Sequence, residues 1–229
     1  MKERPLPLIG PMVLATLNDL KTMTRRVMKI QPPDEHYKLI TTLSTTGDKR
    51  QEGKHHWAML DNLNIIKDQN IYFSCPYGQP GDHLWVKETW QTGTELDNLN
   101  GTEILQKAMD AGYDIGPACP LWYPADGAYR PWCNNDLDFG NTGRKRAARF
   151  MPRWASRIIL EITGVRVERV QNISVIDCIS EGIKIDVPDY SEDAIYRFKQ
   201  LWDSINAKRG FSWDVNPYVW CISFKRIKP

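Results

Sequence analysis

Lys21-Thr22-Met23-Thr24-Arg25-Arg26 stands where a short helical pattern stops, and its conformation decides how the rest of the chain is read. Upstream, Gly10-Pro11 opens a helix, since proline fits the first helical position, where its missing N–H leaves no bond unmade. Val13, Leu17 and Leu20 then form one apolar stripe. In a regular strand Lys21 and Thr24 point to opposite faces, because their separation is odd. On a turn or helix end, three residues apart, they share a face. The hexapeptide is therefore either a basic helix C-terminus that complements the helix dipole, or a place where an amine and a hydroxyl gather on one side of the chain.

Downstream, Gln31 to Asn70 is polar and weakly patterned, with Pro32-Pro33 and the run Thr41 to Thr46, and reads as a surface excursion carrying a hairpin. Ile71 to Ser74 is a candidate strand, and Pro76 to Gly81 is rich in turn residues. His83 to Trp90 alternates as a strand, with Trp85 and Thr89 on one face and Leu84, Val86 and Trp90 on the other. Residues 91 to 150 lack a period; so long a stretch in a compact domain is a lid or binding loop more often than a plain connection. It contains Asp126-Gly127 and ends in Arg144, Lys145, Arg146 and Arg149, which read as a solvated loop or a phosphate-contacting patch.

Arg157 to Thr163 and Val165 to Val170 predict two strands joined at Gly164. Ser174 followed by Asp177 resembles a capping box for a helix with Ile176, Ile179 and Ile183 at helical spacing, stopped at Gly182. A second helix begins near Ser191, has Glu192 and Asp193 in its first turn, and closes at Lys208, Arg209 and Gly210. Ile195, Phe198, Trp202 and Ile205 are its expected buried face. The last strand is Tyr218 to Arg226, with Tyr218, Trp220, Ile222 and Phe224 on one side. The order predicts an α+β, mainly β fold: a small β-barrel with flanking helices, one domain over residues 1–229.

Composition narrows the function classes. The chain has 229 residues, 41% of them hydrophobic, enough to build a core. A net charge of +2 argues against a protein that wraps duplex DNA through its phosphates. Nine tryptophans exceed core needs enough that one or two become candidates for stacking on a base, although any single Trp is first a core residue. The five cysteines, at 75, 119, 133, 178 and 221, include no CxxC pair and read as reduced thiols. Cys75, His83, Cys119 and Cys133 are candidates to meet in space, but their spacing supports no zinc ribbon, so no metal and no cofactor are expected. The N-terminal residues Lys2, Glu3 and Arg4 precede prolines instead of an apolar run, and no stretch is long enough to span a membrane, so the expectation is a cytoplasmic protein without a membrane partner.

Three features carry chemistry. Lys21 and Thr24 offer an amine and a hydroxyl, with Arg25 and Arg26 as neighbouring cations. Glu181 sits in the last turn of a helix, where its charge opposes the dipole; such a local conflict is either harmless surface or the mark of a site. The strand after Gly81-Asp82 carries Trp85, Lys87, Glu88 and Trp90, which either line a cleft or cover an outer face. No GxSxG, P-loop, GxGxxG or zinc-deaminase motif is present.

Lys21 to Arg26 resembles the KTxTxR signature of ASCH domains, relatives of the PUA domain. Gly81-Asp82 leading into the Leu84 to Trp90 strand resembles that family's GD-turn strand, and Tyr218 to Lys225 its closing strand. Met151 to Ile183 looks like a larger subgroup often encoded by tailed phages and prophages. The family includes an amidohydrolase that removes the acetyl group from N(4)-acetylcytidine with a Lys, a Thr and a Glu. The resemblance implies Lys21, Thr24 and Glu181 as the catalytic set, and a modified cytosine nucleoside as substrate, cut without zinc. Arg25, Arg26, Trp85, Glu88 and Trp90 are then the candidate substrate-binding residues. The alternatives are an RNA- or modified-base-binding module without catalysis, with RNA as partner, and a phage accessory protein acting on host proteins. Against the small enzyme's pattern this chain has two long insertions, at about 27–75 and 91–150, which bear on substrate size and specificity.

Overall fold

The computed structural model describes residues 1–41, 54–61, 64–68, 71–110, 121–130, 141–184 and 191–228. Its centre is a five-stranded mixed sheet in the order β1 (Glu3–Pro7), β6 (His83–Lys87), β9 (Ile159–Arg169), β10 (Tyr218–Ile227) and β2 (Met23–Val27). β1 runs parallel to β6, and the other pairs are antiparallel. β10 has neighbours on both sides and is covered on both faces. Trp220, Ile222 and Phe224 enter the main core with Leu6, Leu84, Val86, Leu160 and Ile162. Val219 and Cys221 enter a second core beneath two helices. Burial on both faces is why Val219 to Phe224 is almost continuously apolar instead of alternating.

The expected barrel is an open sheet among the described residues, with β1 and β2 as its two outer strands. β1 explains one open edge. Its even-numbered residues bond to β6, as the His83 N–H to Lys2 O bond (2.8 Å) and the Leu8 N–H to Lys87 O bond (2.9 Å) show. Pro5 and Pro7 therefore face outward with no N–H to offer, and no strand can be added there in full register. Those same prolines hid β1 from the sequence reading. The predicted pair of strands around Gly164 is one continuous β9. Its register against β10 shifts between Ser223↔Gly164 and Phe224↔Ile162, so Thr163 is an extra residue that bends the strand without breaking it.

Both insertions are more structured than their sequences suggest. β3 (Tyr37–Thr41), β4 (His55–Asp61) and β5 (Asn64–Asp68) form a three-stranded antiparallel sheet. It is no loose excursion: Tyr37 and Trp57 are buried in the main core, and the Trp57 ring lies 4.7 Å from that of Tyr218. The strand expected at Ile71 to Ser74 reduces to a single bridge between Phe73 and His55. In the second insertion, α2 (Gly101–Asp110) and a hairpin of β7 (Leu121–Tyr123) and β8 (Ala128–Arg130), turning at Asp126-Gly127, surround a third core containing Trp90, Leu96, Ile104 and Met151. Arg146, from the basic run, is buried there. Its guanidinium donates to Leu99 O (2.7 Å) and Leu96 O (2.6 Å) and lies over Trp90. Arg144, Lys145 and Arg149 are exposed.

The helices follow their caps more closely than their stripes. α1 (Gly10–Leu17) starts with proline in its first turn. In α3 (Val175–Ser180) the Ser174 hydroxyl accepts from Asp177 N–H, as the capping box requires. Ile176 and Ile179 of the expected stripe are exposed, and Cys178 is the buried residue, because a helix this short packs by one side of a single turn. In α4 (Ser191–Asn206) Ala194, Phe198 and Trp202 are buried, whereas Ile205 is 42% exposed. No helix among the described residues is long and apolar enough to cross a membrane.

Trp57→Ala is expected to destabilise the whole protein by roughly 3–5 kcal/mol, the usual cost of truncating a buried aromatic. Urea unfolding checks this; a change within about 0.5 kcal/mol, typical of surface sites, would mean that the inserted sheet is not part of the core.

Candidate active site

The site begins where α1 ends. Asp19 takes a left-handed conformation (φ 57°), and the N–H groups of Leu20 and Lys21 both donate to Ala15 O. β2 starts only at Met23, with Thr22 tied by its N–H to Ser180 O and by its carbonyl to Phe224 N–H. Lys21 thus lies on a turn outside the strand. That is the geometry needed for Lys21 and Thr24 to face the same space, and both line one cavity of about 440 Å³.

Glu181 lines it too. It caps the C-terminus of α3, and Gly182 follows at φ +89°. A Cβ at position 182 would lie 2.9 Å from the Ala15 Cβ and 3.3 Å from the Lys21 Cβ, so only glycine lets the helix end approach this closely. The Lys21 Nζ donates to Glu181 Oε2 (2.7 Å) and to the Glu181 carbonyl (2.8 Å). The carboxylate that offends the dipole in sequence is matched here by an ammonium bonded to the same helix end. Lys21, Thr24 and Glu181 are each no more than 4% exposed.

Burial pushes the Lys21 pKa down from its ordinary value, and Arg26 and Arg25 add to that. Glu181 pulls it back through charge and hydrogen bond. Glu181 Oε1 is buried and has no hydrogen-bond partner, with Arg25 Nη1 3.7 Å away. The Thr24 side chain makes no hydrogen bond with the described residues. A buried carboxylate oxygen without a hydrogen-bond partner and an unbonded threonine hydroxyl line one cavity and are groups poised for a ligand.

Arg25 stands behind the pair. Its side chain is fully buried, and Nη2 donates to both Glu168 and Asp177, the latter at 2.6 Å. Nη1 reaches the Met23 sulfur at 3.4 Å, and Phe198 lies under the guanidinium. Arg166 closes the network on Asp177 and Glu168. Arg25, an expected substrate contact, lines the cavity, and its charge is matched by carboxylates behind it. Arg26 lines the cavity, and its Nη2 donates to Pro7 O at 2.7 Å.

Trp85, Glu88 and Trp90, expected as substrate contacts, do not line this cavity. Trp90 is 1% exposed and packs edge-on against Trp154, so it has no face for a base. Glu88 is buried with both oxygens on Arg157, and burial raises its pKa against that pairing. Trp85 is half-buried with the Lys87 ammonium over its ring. The strand ends at Lys87, and beyond it Trp90 turns into the third core. The apolar wall instead comes from α4 through Phe198, Leu201, Trp202 and Ile205, with Tyr77 and Met12 opposite. Sequence reasoning assigned the α4 stripe to the core. Its signal as a wall was the continuation Phe198, Trp202, Ile205, Arg209, an apolar helical face that ends in a cation.

A second cavity, of about 450 Å³, is lined by Lys2, Arg4, His55, Cys75 and Asp82 among others. Its carboxylate is matched by Arg4 and the Lys2 N–H, and burial raises the Cys75 pKa, which leaves no activated nucleophile. Among the described residues no three His, Cys, Asp or Glu side chains are grouped to hold a metal ion; Cys119 and Cys133 lie outside those residues. Comparison of the chain with family models, curated proteins and solved structures gives no match.

Two outcomes follow from the pair. In a nitrogen-detected titration, the Lys21 amine is expected to lose its proton below the ordinary lysine range, and Glu181→Gln should lower that value further by removing the opposing charge. Since the unfolded chain holds this proton more tightly, Lys21's share of stability rises as pH climbs from the depressed value towards 10.5. Gly182→Ala is expected to cost roughly 1–3 kcal/mol in urea unfolding, from the strained φ and the clash with Ala15.

Proposed function

We propose that this chain is an amidohydrolase that removes an acyl group from the exocyclic nitrogen of an N(4)-acylated cytosine nucleoside, on a variant of the PUA-like ASCH architecture. One observation carries the reading: a buried Lys21–Glu181 pair shares a cavity with an unbonded Thr24 hydroxyl. The KTxTxR-like hexapeptide, the Gly81-Asp82 turn into β6, and a closing strand packed under two helices support the architecture.

A threonine hydroxyl is a weak nucleophile and needs an adjacent base. Lys21 is that base in its neutral form, which burial favours. Thr24 Oγ bonds to the acyl carbon as its proton moves to Lys21 Nζ. The tetrahedral adduct then collapses, the C–N bond breaks, and the leaving amine of cytosine takes that proton. Water attacks the acyl-threonine ester with Lys21 again as base, releasing the carboxylic acid and restoring the hydroxyl. Glu181 Oε2 orients the amine, and Oε1 is free to accept the amide N–H of the substrate. The pyrimidine lies against the Phe198 and Trp202 wall.

The test is turnover of N(4)-acetylcytidine to cytidine, with and without a chelator. Thr24→Ala should abolish turnover and Thr24→Ser restore part of it, with an acetyl-enzyme visible by mass spectrometry of the wild type. Lys21→Ala and Glu181→Ala should each lower kcat by roughly 10²–10⁴-fold, the usual share of a general base. Wild-type turnover in all three alanine variants would overturn the assignment. Full activity in Thr24→Ala alone would replace the threonine by a water as nucleophile.

A further inference from the structure

Four cations line the cavity, Lys21, Arg25, Arg26 and Arg209, against one carboxylate, Glu181. Lys21 is matched by Glu181, and Arg25 by Glu168 and Asp177. Arg26 and Arg209 have no carboxylate within ion-pair distance among the described residues. Each is held by a neutral acceptor: Arg26 Nη2 by Pro7 O at 2.7 Å, and Arg209 Nη1 by Asn206 Oδ1 at 3.2 Å. These bonds fix the guanidinium groups in place without cancelling their charge. The Arg26 Nε is buried and has no partner at all. The two groups feel one another: burial chiefly lowers the Arg26 pKa, Tyr77 and Glu181 pull it back, and Arg209 lowers it further. Ile9, the residue from which α1 begins, lines the same cavity, and no side chain caps that helix. The positive end of the α1 dipole is thus open there as well.

Two guanidinium groups lining one space, neither in ion-pair contact with a carboxylate of the described residues, repel each other, and a ligand that supplies negative charge relieves this. Guanidinium forks match phosphate oxygens in shape and charge. The apolar wall of Phe198 and Trp202 suits a base in the same cavity, whose volume is that of a small-molecule site and not of a groove for a strand. We propose that Arg26 and Arg209 form a phosphate subsite, so that the ligand of this cavity is a pyrimidine nucleoside monophosphate and not the free nucleoside. The proposal rests on the reading of the cavity as a cytosine site, and it deepens that reading by naming the form of the substrate.

The probes are cytidine, cytidine 5′-monophosphate and a short oligocytidylate, titrated by calorimetry into the wild type and into Arg209→Ala. Arg209 is exposed at the end of α4, so its truncation leaves the core intact. The monophosphate is expected to bind about tenfold or more tighter than cytidine, the usual scale of a charge-assisted contact, and its affinity should fall with added salt. Arg209→Ala should remove most of that advantage and leave cytidine binding unchanged. Equal affinity for cytidine and its monophosphate, or an equal loss for both in Arg209→Ala, would overturn the proposal. So would an oligocytidylate that binds tighter still with each added nucleotide, since that is the behaviour of a strand-binding surface. Turnover separates the two readings. If the monophosphate is preferred but neither N(4)-acetylcytidine nor its 5′-phosphate is hydrolysed, the phosphate subsite stands and the amidohydrolase falls.

Discussion

The buried contact between the Lys21 ammonium and the end of α3 is the constraint around which this structure is arranged. The amine bonds both the side chain and the backbone carbonyl of Glu181, so one group ties the α1–β2 turn to a helix 160 residues further along the chain. Two charges this deep are costly to remove from water, and a buried pair is weak evidence for stability by itself. It is better evidence for specificity. A lysine and a glutamate with nothing else to meet can be accommodated in one arrangement only, and the absence of a Cβ at Gly182 makes that arrangement sterically open.

Arg25 extends the constraint outward. It holds Glu168 of β9 and Asp177 of α3, and lies near the second oxygen of Glu181. The same side chain therefore fixes the sheet, the capped helix and the Glu181 carboxylate relative to one another. Cys178 and Cys221 are packed beside this network, and burial raises both thiols, that of Cys178 to about 11. They stay neutral and serve as packing around the charges, away from any thiolate chemistry.

The insertions divide the work. The β3–β5 sheet adds Tyr37 and Trp57 to the main core, and the second insertion builds a core of its own around Trp90. Neither supplies Lys21, Thr24 or Glu181, although Ala148 from the second one and Tyr77, just past the first, reach the cavity wall. Part of the large number of tryptophans is explained by this extra packing, and among the described tryptophans only Trp202 lines the cavity.

Much of the layout was legible in the residues themselves. Caps and stops at Pro11, Ser174, Gly182 and Gly210 are local chemistry, and each falls where the chain's own φ preferences and side-chain bonds demand. Glu181 stood out because its charge opposes its helix end, Lys21 and Thr24 stood out as polar groups crowded where a helix stops, and the resemblance to ASCH domains joined the three. What neighbours decide was not legible. β1 reads as a proline-rich tail until it pairs with β6 on its one competent side, and the open sheet in place of a barrel follows from that edge. Trp85, Glu88 and Trp90 shared a strand with charges and aromatics, yet burial and Arg157 drew two of them into packing. Arg209 had no mark in sequence beyond closing a helix. Local propensity and capping act over a few residues and so are written in the chain, whereas pairing of edges, burial of charge and the choice of cavity wall depend on contacts between segments far apart, and only the folded structure brings those together.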